Sequence, residues 1–167
     1  RALDQCVRLA DDVGRGTEKS LLVLMRSLIE SGVAMLLFGQ SHPASGAEHH
    51  LSHYWEIEFH RRGRRQLLHG SKVGVACGLI ADLYHDLGRE QPDLASLLAG
   101  VPTGESIRRM LSAAGAPVTP EELGIEEDLV QRGLAEAHKL RPNRTTLLRL
   151  RNEGRLDRLR LADNDPA

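Results

Sequence analysis

The stretch that decides the fold is residues 45–60, Ser-Gly-Ala-Glu-His-His-Leu-Ser-His-Tyr-Trp-Glu-Ile-Glu-Phe-His. It opens with a clear helix-start signal. Ser45, followed three residues later by Glu48, is a capping-box pattern. It predicts that the Ser45 hydroxyl accepts from the Glu48 amide while the Glu48 carboxylate reaches back. We therefore expect a helix from about Gly46 to His60 that ends near Gly63.

Similar signals divide the rest of the chain into helices. Apolar residues recur from Thr17 to Phe38, and the all-apolar end Leu36-Leu37-Phe38 predicts a buried helix terminus before a Gly39 cap. Further helices are expected after His69, which we place in a loop, and over about 103–115, 125–138 and 145–153, with a short turn at 94–98. A second capping box spans 119–122.

No stretch alternates convincingly enough to predict a strand. The sequence therefore predicts an all-α, multihelical domain over residues 1–160, with a frayed tail at 161–167. Gly74 and Gly78 lie inside one of the predicted helices, where each glycine costs roughly 1 kcal/mol relative to alanine. That cost indicates a steric reason for having glycine at these positions, namely close packing against a neighbouring helix.

Composition narrows the class of protein. The chain has 167 residues, 41% of them hydrophobic, and a formal net charge of -1, which fits one globular domain. That charge gives no electrostatic reason to expect nucleic acid or an anionic membrane as a partner. We expect neither a membrane span nor a signal peptide, and the two distant cysteines, Cys6 and Cys77, suit a reducing cytoplasm.

One local cluster of charge departs from this balance. It consists of four arginines just after the predicted helix, Arg61, Arg62, Arg64 and Arg65. A solvated linker between helices is the favoured interpretation, and a site for an anionic substrate or cofactor phosphate is the alternative.

Histidines are the candidate functional residues. Of eight in the chain, four lie between positions 42 and 53, and His49 and His53 share one helix face because they are four residues apart. His50 points about 100° away and is expected at the surface or in packing. A neutral imidazole is a preferred ligand of zinc, nickel or iron(II), but helical spacing of two histidines also arises by chance.

Three segments carry a resemblance to a known family. Residues 41–53, Ser-His-Pro-Ala-Ser-Gly-Ala-Glu-His-His-Leu-Ser-His, resemble a signature of bacterial and archaeal glycerol-1-phosphate dehydrogenases. This family belongs to the dehydroquinate synthase-like and iron-type alcohol dehydrogenase superfamily. Residues 69–75 resemble its His-Gly-Glu-Lys-Val-Gly block, and residues 141–148 are a weaker match. Residues 31–35 also fit the pattern.

The resemblance implies a C-terminal helical domain that faces an N-terminal nucleotide-binding domain across the active-site cleft. It assigns His49 and His69 as ligands of a divalent metal (zinc, nickel or iron), with a carboxylate as the third ligand. It places His53 beside the substrate as a catalytic residue, and His42 near the substrate phosphate. The implied reaction is reversible hydride transfer between NAD(P)H and dihydroxyacetone phosphate, giving sn-glycerol 1-phosphate.

The chain departs from the family pattern at three points. Ser71 replaces an acidic residue, which removes any support that residue gives His69. His42 stands where relatives commonly have arginine. No Gly-rich nucleotide loop is present, so we expect NAD(P) to be bound mainly by a missing N-terminal domain and this chain to be inactive alone. The resemblance places the carboxylate ligand upstream of these segments, where Asp4, Asp11 and Asp12 are the only aspartates. Asp11-Asp12 shows no family context, and a solvated helix end is the favoured interpretation.

Other functions remain open at the level of sequence. They are another polyol or polyol-phosphate dehydrogenase, a cyclase of the dehydroquinate synthase type, and a non-catalytic helical module. An interdomain face without its partner should expose apolar surface, which predicts self-association into a homo-oligomer or poor solubility.

Overall fold

The computed structural model describes residues 2–157 and 159, and the regular structure in that range is entirely helical, as predicted. The α-helices are α1 (Ala2–Arg8), α2 (Ala10–Gly14), α3 (Glu18–Phe38), α4 (Ala47–Arg61), α5 (His69–Glu90), α6 (Pro92–Leu98), α7 (Gly104–Ala113), α8 (Glu127–Glu136) and α9 (Leu147–Asn152). Short 3-10 helices cover His42–Ala44, Glu121–Leu123 and Ala137–Leu140. The predicted tail, 161–167, lies outside the described residues.

Helix α4 is the centre of the fold because one of its faces forms the core. Its buried apolar residues recur every four positions, at Ala47, Leu51, Trp55 and Phe59. They pack against the apolar side of α5 and against α8 and α9, contributed by Val75, Ala76, Ile80, Leu129, Val130 and Leu148. Since this stripe faces inward, the opposite side of α4 is free for polar side chains.

The predicted start of α4 is half correct. Gly46, not Ser45, is the N-cap, and the Ser45 side chain makes no capping hydrogen bond. The Glu48 carboxylate does reach back, accepting from the Gly46 amide at 2.6 Å. Ser45 is instead the residue that ends the preceding 3-10 helix, and its carbonyl accepts from Arg144 at 2.6 Å. The second capping box forms around Thr119 as predicted, but it opens only a 3-10 turn.

The glycines of α5 allow α7 to pack closely against it, as predicted. A Cβ added at Gly74 would lie 2.9 Å from Leu111 of α7, and one at Gly78 would lie 3.3 Å from Arg108. On the other side, Gly104 at the start of α7 lies against the Gly78 carbonyl and the Asp82 carboxylate. The close approach of the two helices therefore depends on the absence of these side chains.

We expect Gly104→Ala to lower the free energy of unfolding by about 1–3 kcal/mol because it overpacks this crossing. Its new Cβ would lie 2.6 Å from the Gly78 carbonyl oxygen, which cannot move without shifting α5. Gly32→Ala, inside α3, is the matched control because a Cβ there meets nothing within 4 Å. Urea denaturation should show the control equal to or more stable than the parent, and equal midpoints for both variants would contradict this packing.

Helix α3 departs from the sequence prediction. Leu36, Leu37 and Phe38 do not form a buried terminus, since they are 79%, 83% and 60% exposed. The helix ends at Gly39 in the left-handed conformation, as predicted, and it contacts α1, α2 and the 3-10 helix His42–Ala44. Its remaining exposed apolar residues are Leu21, Leu22, Met25, Leu28, Ile29 and Val33.

No membrane span was expected from the sequence, but one helix among the described residues has the length and composition to cross a membrane. Helix α3 has 21 residues, and an 18-residue window within it has a mean hydropathy of 1.9. Core helices of soluble proteins and signal sequences share this length and composition, so these properties alone do not make α3 a membrane span.

The exposed side of α3 leads us to expect concentration-dependent self-association, because large apolar patches are rarely left exposed on monomers. Light scattering after gel filtration should give a mass above the 18.4 kDa of one chain at high concentration. Replacing Leu22 and Leu37, which are 64% and 83% exposed, with glutamate should lower that mass without changing the helix content. A parent chain that stays monomeric throughout would contradict the prediction.

Candidate metal centre

The outward side of α4 presents a row of polar side chains. His49, His53 and Glu56 follow the spacing i, i+4 and i+7, which places them on one helix face opposite the buried apolar stripe. All three are partly exposed, in contrast to their neighbours Leu51 and Trp55. The same helix that forms the core therefore also displays this row.

His69 reaches the row from the next helix. It is the first residue of α5, not part of a loop as the sequence analysis expected. The linker that brings it there is held by Arg64, whose guanidinium lies 4.2 Å from the centre of the Phe59 ring and donates to the Gly124 carbonyl. Gln66 donates to the backbone carbonyl of Glu56 at 3.2 Å.

Three imidazole rings meet at this point. The ring centres of His49 and His69 are 5.5 Å apart, those of His53 and His69 are 5.4 Å apart, and those of His49 and His53 are 6.4 Å apart. We call these three side chains the histidine cluster. All three residues are candidates predicted from the sequence, and the fold brings them together; their roles as ligands and catalyst stay predictions.

The Nδ1 atom of each ring in the histidine cluster is hydrogen-bonded to a carboxylate. The Glu48 carboxylate accepts from His49 at 2.8 Å, and the two oxygens of Glu56 accept separately from His53 and His69 at 2.9 Å each. A ring that donates from Nδ1 is in the tautomer whose Nε2 atom carries the free lone pair. The carboxylates thus leave all three Nε2 atoms available as ligands or proton acceptors.

Glu56 is the hub of these contacts, and Lys72 of α5 is its third partner. The Lys72 side chain is only 2% exposed, and its ammonium lies 3.0 Å from Glu56 and donates to the Leu67 carbonyl. Burial by itself raises the pKa of Glu56, but hydrogen bonds from His69, Lys72 and His53 outweigh it and lower the pKa to about 2. Glu56 is therefore a carboxylate at any pH near neutrality.

The donor set suits a divalent metal ion. Ligand atoms of His53, Glu56 and His69 lie within 4.8 Å of one another. His49 is not within this group, but its ring centre lies 5.5 Å from that of His69. Imidazole ligands whose other ring nitrogen is held by a carboxylate are the arrangement typical of zinc and related metals. The residues present therefore fit such an ion chemically.

Glu56 was missed by the sequence analysis, although a signal for it exists. It lies three residues after His53 and seven after His49, which is helical spacing for one face. It accepts from His69 directly, so a carboxylate supports this ring although residue 71 is a serine.

His42 lies apart from the histidine cluster, in a separate cleft of about 250 Å³ shared with Arg141 and Arg144. Arg144 donates to the Ser45 carbonyl and to the Ser41 hydroxyl, which anchors the cleft to the start of α4. These two hydrogen bonds join the cleft to the segment that leads into α4. The positive lining of the cleft would suit an anionic group.

Curated relatives match most of the chain. It is 44% identical to the glycerol-1-phosphate dehydrogenase of Geobacillus stearothermophilus over 176 residues, which cover 92% of this chain and 44% of that protein. Proteins of the same name from Bacillus subtilis and Staphylothermus marinus are 38% and 35% identical over 92% and 85% of this chain. The chain is homologous to glycerol-1-phosphate dehydrogenases. It spans less than half the length of these dehydrogenases, and no family model matches it.

Other residues singled out in the sequence have structural explanations. Of the four clustered arginines, Arg62 and Arg64 pair with Glu126 and Arg61 pairs with Glu58, which supports the linker interpretation over an anion site. Asp12 of α2 pairs with Arg15, the residue that follows the helix end. Desolvation raises the pKa of Cys77 to about 12, as suits an inert thiol.

His50 is buried in packing, and this burial lowers its pKa to about 4. It is therefore neutral near pH 7. Its position agrees with the packing role that the sequence analysis allowed for it, and it takes no part in the histidine cluster.

Proposed function

We propose that the natural protein carrying this sequence is a metal-dependent, NAD(P)-dependent sn-glycerol-1-phosphate dehydrogenase that reduces dihydroxyacetone phosphate. The observation that carries the proposal is the histidine cluster, in which three imidazoles on two helices have their Nδ1 atoms fixed by carboxylates. The names of the relatives support the reaction and the use of NAD(P). The nicotinamide nucleotide is expected to bind mainly outside the helices described here.

In this proposal His49 and His69 hold the metal ion through their Nε2 atoms. Bound there, a divalent ion would supply Lewis acidity towards the oxygen of the reacting ketone. The Glu48 carboxylate holds the His49 ring, and the Glu56 carboxylate holds the His69 ring. Zinc, nickel and iron(II) all suit imidazole ligands, so the identity of the ion depends on the rest of the ligand set.

His53 is proposed to move the proton of the reaction. Reduction by NAD(P)H would add a hydride to the carbonyl carbon, and the carbonyl oxygen would need one proton to become the new hydroxyl. A protonated His53 would release the proton from Nε2 to that oxygen and return to the neutral ring. Its Nδ1–H stays on Glu56 throughout, and about a third of the side chain is exposed, so substrate can reach it.

The substrate phosphate is proposed to lie towards His42. The cleft that His42 shares with Arg141 and Arg144 has cationic donors and lies next to the start of α4. Guanidinium groups bind phosphate oxygens well because their donors match the geometry of the anion. A substrate with its ketone at the histidine cluster and its phosphate in this cleft would use both sites.

The test is an assay of the natural protein with NADH or NADPH and dihydroxyacetone phosphate. Nucleotide oxidation that requires a divalent metal, with sn-glycerol 1-phosphate as product, is the expected result. Formation of glycerol 3-phosphate would contradict the stereochemical assignment. Turnover of an unphosphorylated polyol in preference to the phosphate ester would favour another dehydrogenase of the superfamily, and absence of any turnover with metal bound would favour a non-catalytic module.

A further inference from the structure

We propose that Glu56 is a positioning residue, which orients His53 and His69 for the metal centre without itself being a metal ligand. The inference rests on the proposed function, since it assumes that the histidine cluster binds metal. It assigns a role to a residue that neither the sequence motifs nor the relatives' names identify.

The first observation is that Glu56 has no free oxygen. One oxygen accepts from His53 at 2.9 Å, and the other accepts from His69 at 2.9 Å and pairs with Lys72 at 3.0 Å. A metal ion that took either oxygen would compete with a histidine N–H and, at the second oxygen, would face the Lys72 ammonium. Two positive groups at one oxygen repel each other, which disfavours Glu56 as a ligand.

The second observation is the pairing of carboxylate with Nδ1. When Nδ1–H donates to a carboxylate, the ring tautomer is fixed, its orientation is fixed, and Nε2 becomes the more basic nitrogen. Glu56 does this for two rings on two different helices, His53 of α4 and His69 of α5. It therefore sets the spacing between the proposed proton donor and one proposed metal ligand.

The third observation explains why Glu56 stays in place. The Lys72 side chain is buried, and its ammonium needs partners because an unpaired buried charge is costly. Its partners are the Glu56 carboxylate and the Leu67 carbonyl, the latter in the linker that leads into α5. The ion pair with Lys72 thus holds the Glu56 carboxylate in place while its oxygens contact the His53 and His69 rings.

The experiment measures binding of Co²⁺ to the metal-free natural protein and to Glu56→Gln, by competition with a chromophoric chelator. Glutamine keeps the shape but has one acceptor oxygen and one NH₂ group, so it cannot accept from both rings. We expect the affinity to fall about 10–100-fold, as for loss of a group that supports a ligand. The visible absorption bands at saturating Co²⁺ should keep the position and intensity of the parent, because the ligands themselves are unchanged.

Two further variants control for folding. Glu56→Gln leaves Lys72 without its carboxylate, so the double variant Glu56→Gln/Lys72→Met removes the lone charge and should show the same loss of affinity. Glu58→Gln is the matched control on the same helix. Glu58 pairs with Arg61 and Arg132 and makes no hydrogen bond to the histidine cluster. The affinity of the Glu58→Gln variant for Co²⁺ should equal that of the parent.

The outcomes separate this inference from the proposed function. Affinity within threefold of the parent in both Glu56 variants would overturn the positioning role alone. Cobalt bands that shift or change intensity at saturation would show that Glu56 is a ligand, which also overturns it. A parent protein that binds no Co²⁺ would overturn the metal centre, and this inference with it.

Discussion

His69→Ala is expected to lower kcat/KM for dihydroxyacetone phosphate by about 10³-fold. The variant removes one of two proposed imidazole ligands, and loss of a Lewis acid that contributes about 4 kcal/mol to the transition state gives this factor. The side chain is about half exposed and lies at the first position of α5, so its removal should leave the core intact. His49→Ala is expected to behave in the same way.

The measurement is steady-state oxidation of NADH by the natural protein and its variants, with metal content determined on the same samples. His60→Ala is the matched control, since His60 lies exposed in the last turn of α4 and outside the histidine cluster. It should retain the parent's kcat/KM. If kcat/KM falls less than tenfold in both His49→Ala and His69→Ala, with metal still bound, these residues are not the ligands.

His53→Ala is expected to lower kcat by about 10²–10³-fold while the bound metal is retained. General acid–base catalysis typically contributes factors of this size, and the proposed role of His53 is to give a proton to the developing hydroxyl. Because that interaction matters most in the transition state, the loss should appear in kcat more than in KM. Metal content and kinetics measured together distinguish His53 from His49 and His69.

Two results would contradict this role. Loss of the metal in His53→Ala would make His53 a ligand, in line with its closeness to Glu56 and His69. An unchanged kcat with a raised KM would make it a residue that binds substrate without moving a proton. The circular dichroism spectrum should not change in either case, because His53 lies on the outer face of α4.

Local signals were sufficient to predict most of the helices. The stop at Gly39, the start at Thr103 and the end before Gly115 all follow from capping preferences of single residues, and each is observed. The errors concern burial. Leu36 and Leu37 are as apolar as core residues, and nothing in their local sequence indicates that no other described element covers them. Burial depends on contacts between distant segments, which helical periodicity does not specify.

The same limit explains which part of the candidate site was missed. The spacing of His49 and His53 along one helix places them on one face, and the resemblance added His69. The contacts of Glu56 with His69 and Lys72, however, join α4 to α5 across a linker whose path depends on Arg64 and Gln66. Likewise, the cleft around His42 is closed by Arg144, about a hundred positions away in sequence.

The most direct test of the account is the metal content of the natural protein after dialysis against metal-free buffer and loading with zinc or nickel. Plasma mass spectrometry should find about one ion per chain in the parent and in His60→Ala, and strongly reduced binding in His49→Ala and His69→Ala. A parent that holds no ion, or His49→Ala and His69→Ala variants that hold it as firmly as the parent, would contradict the assignment of the histidine cluster as a metal centre.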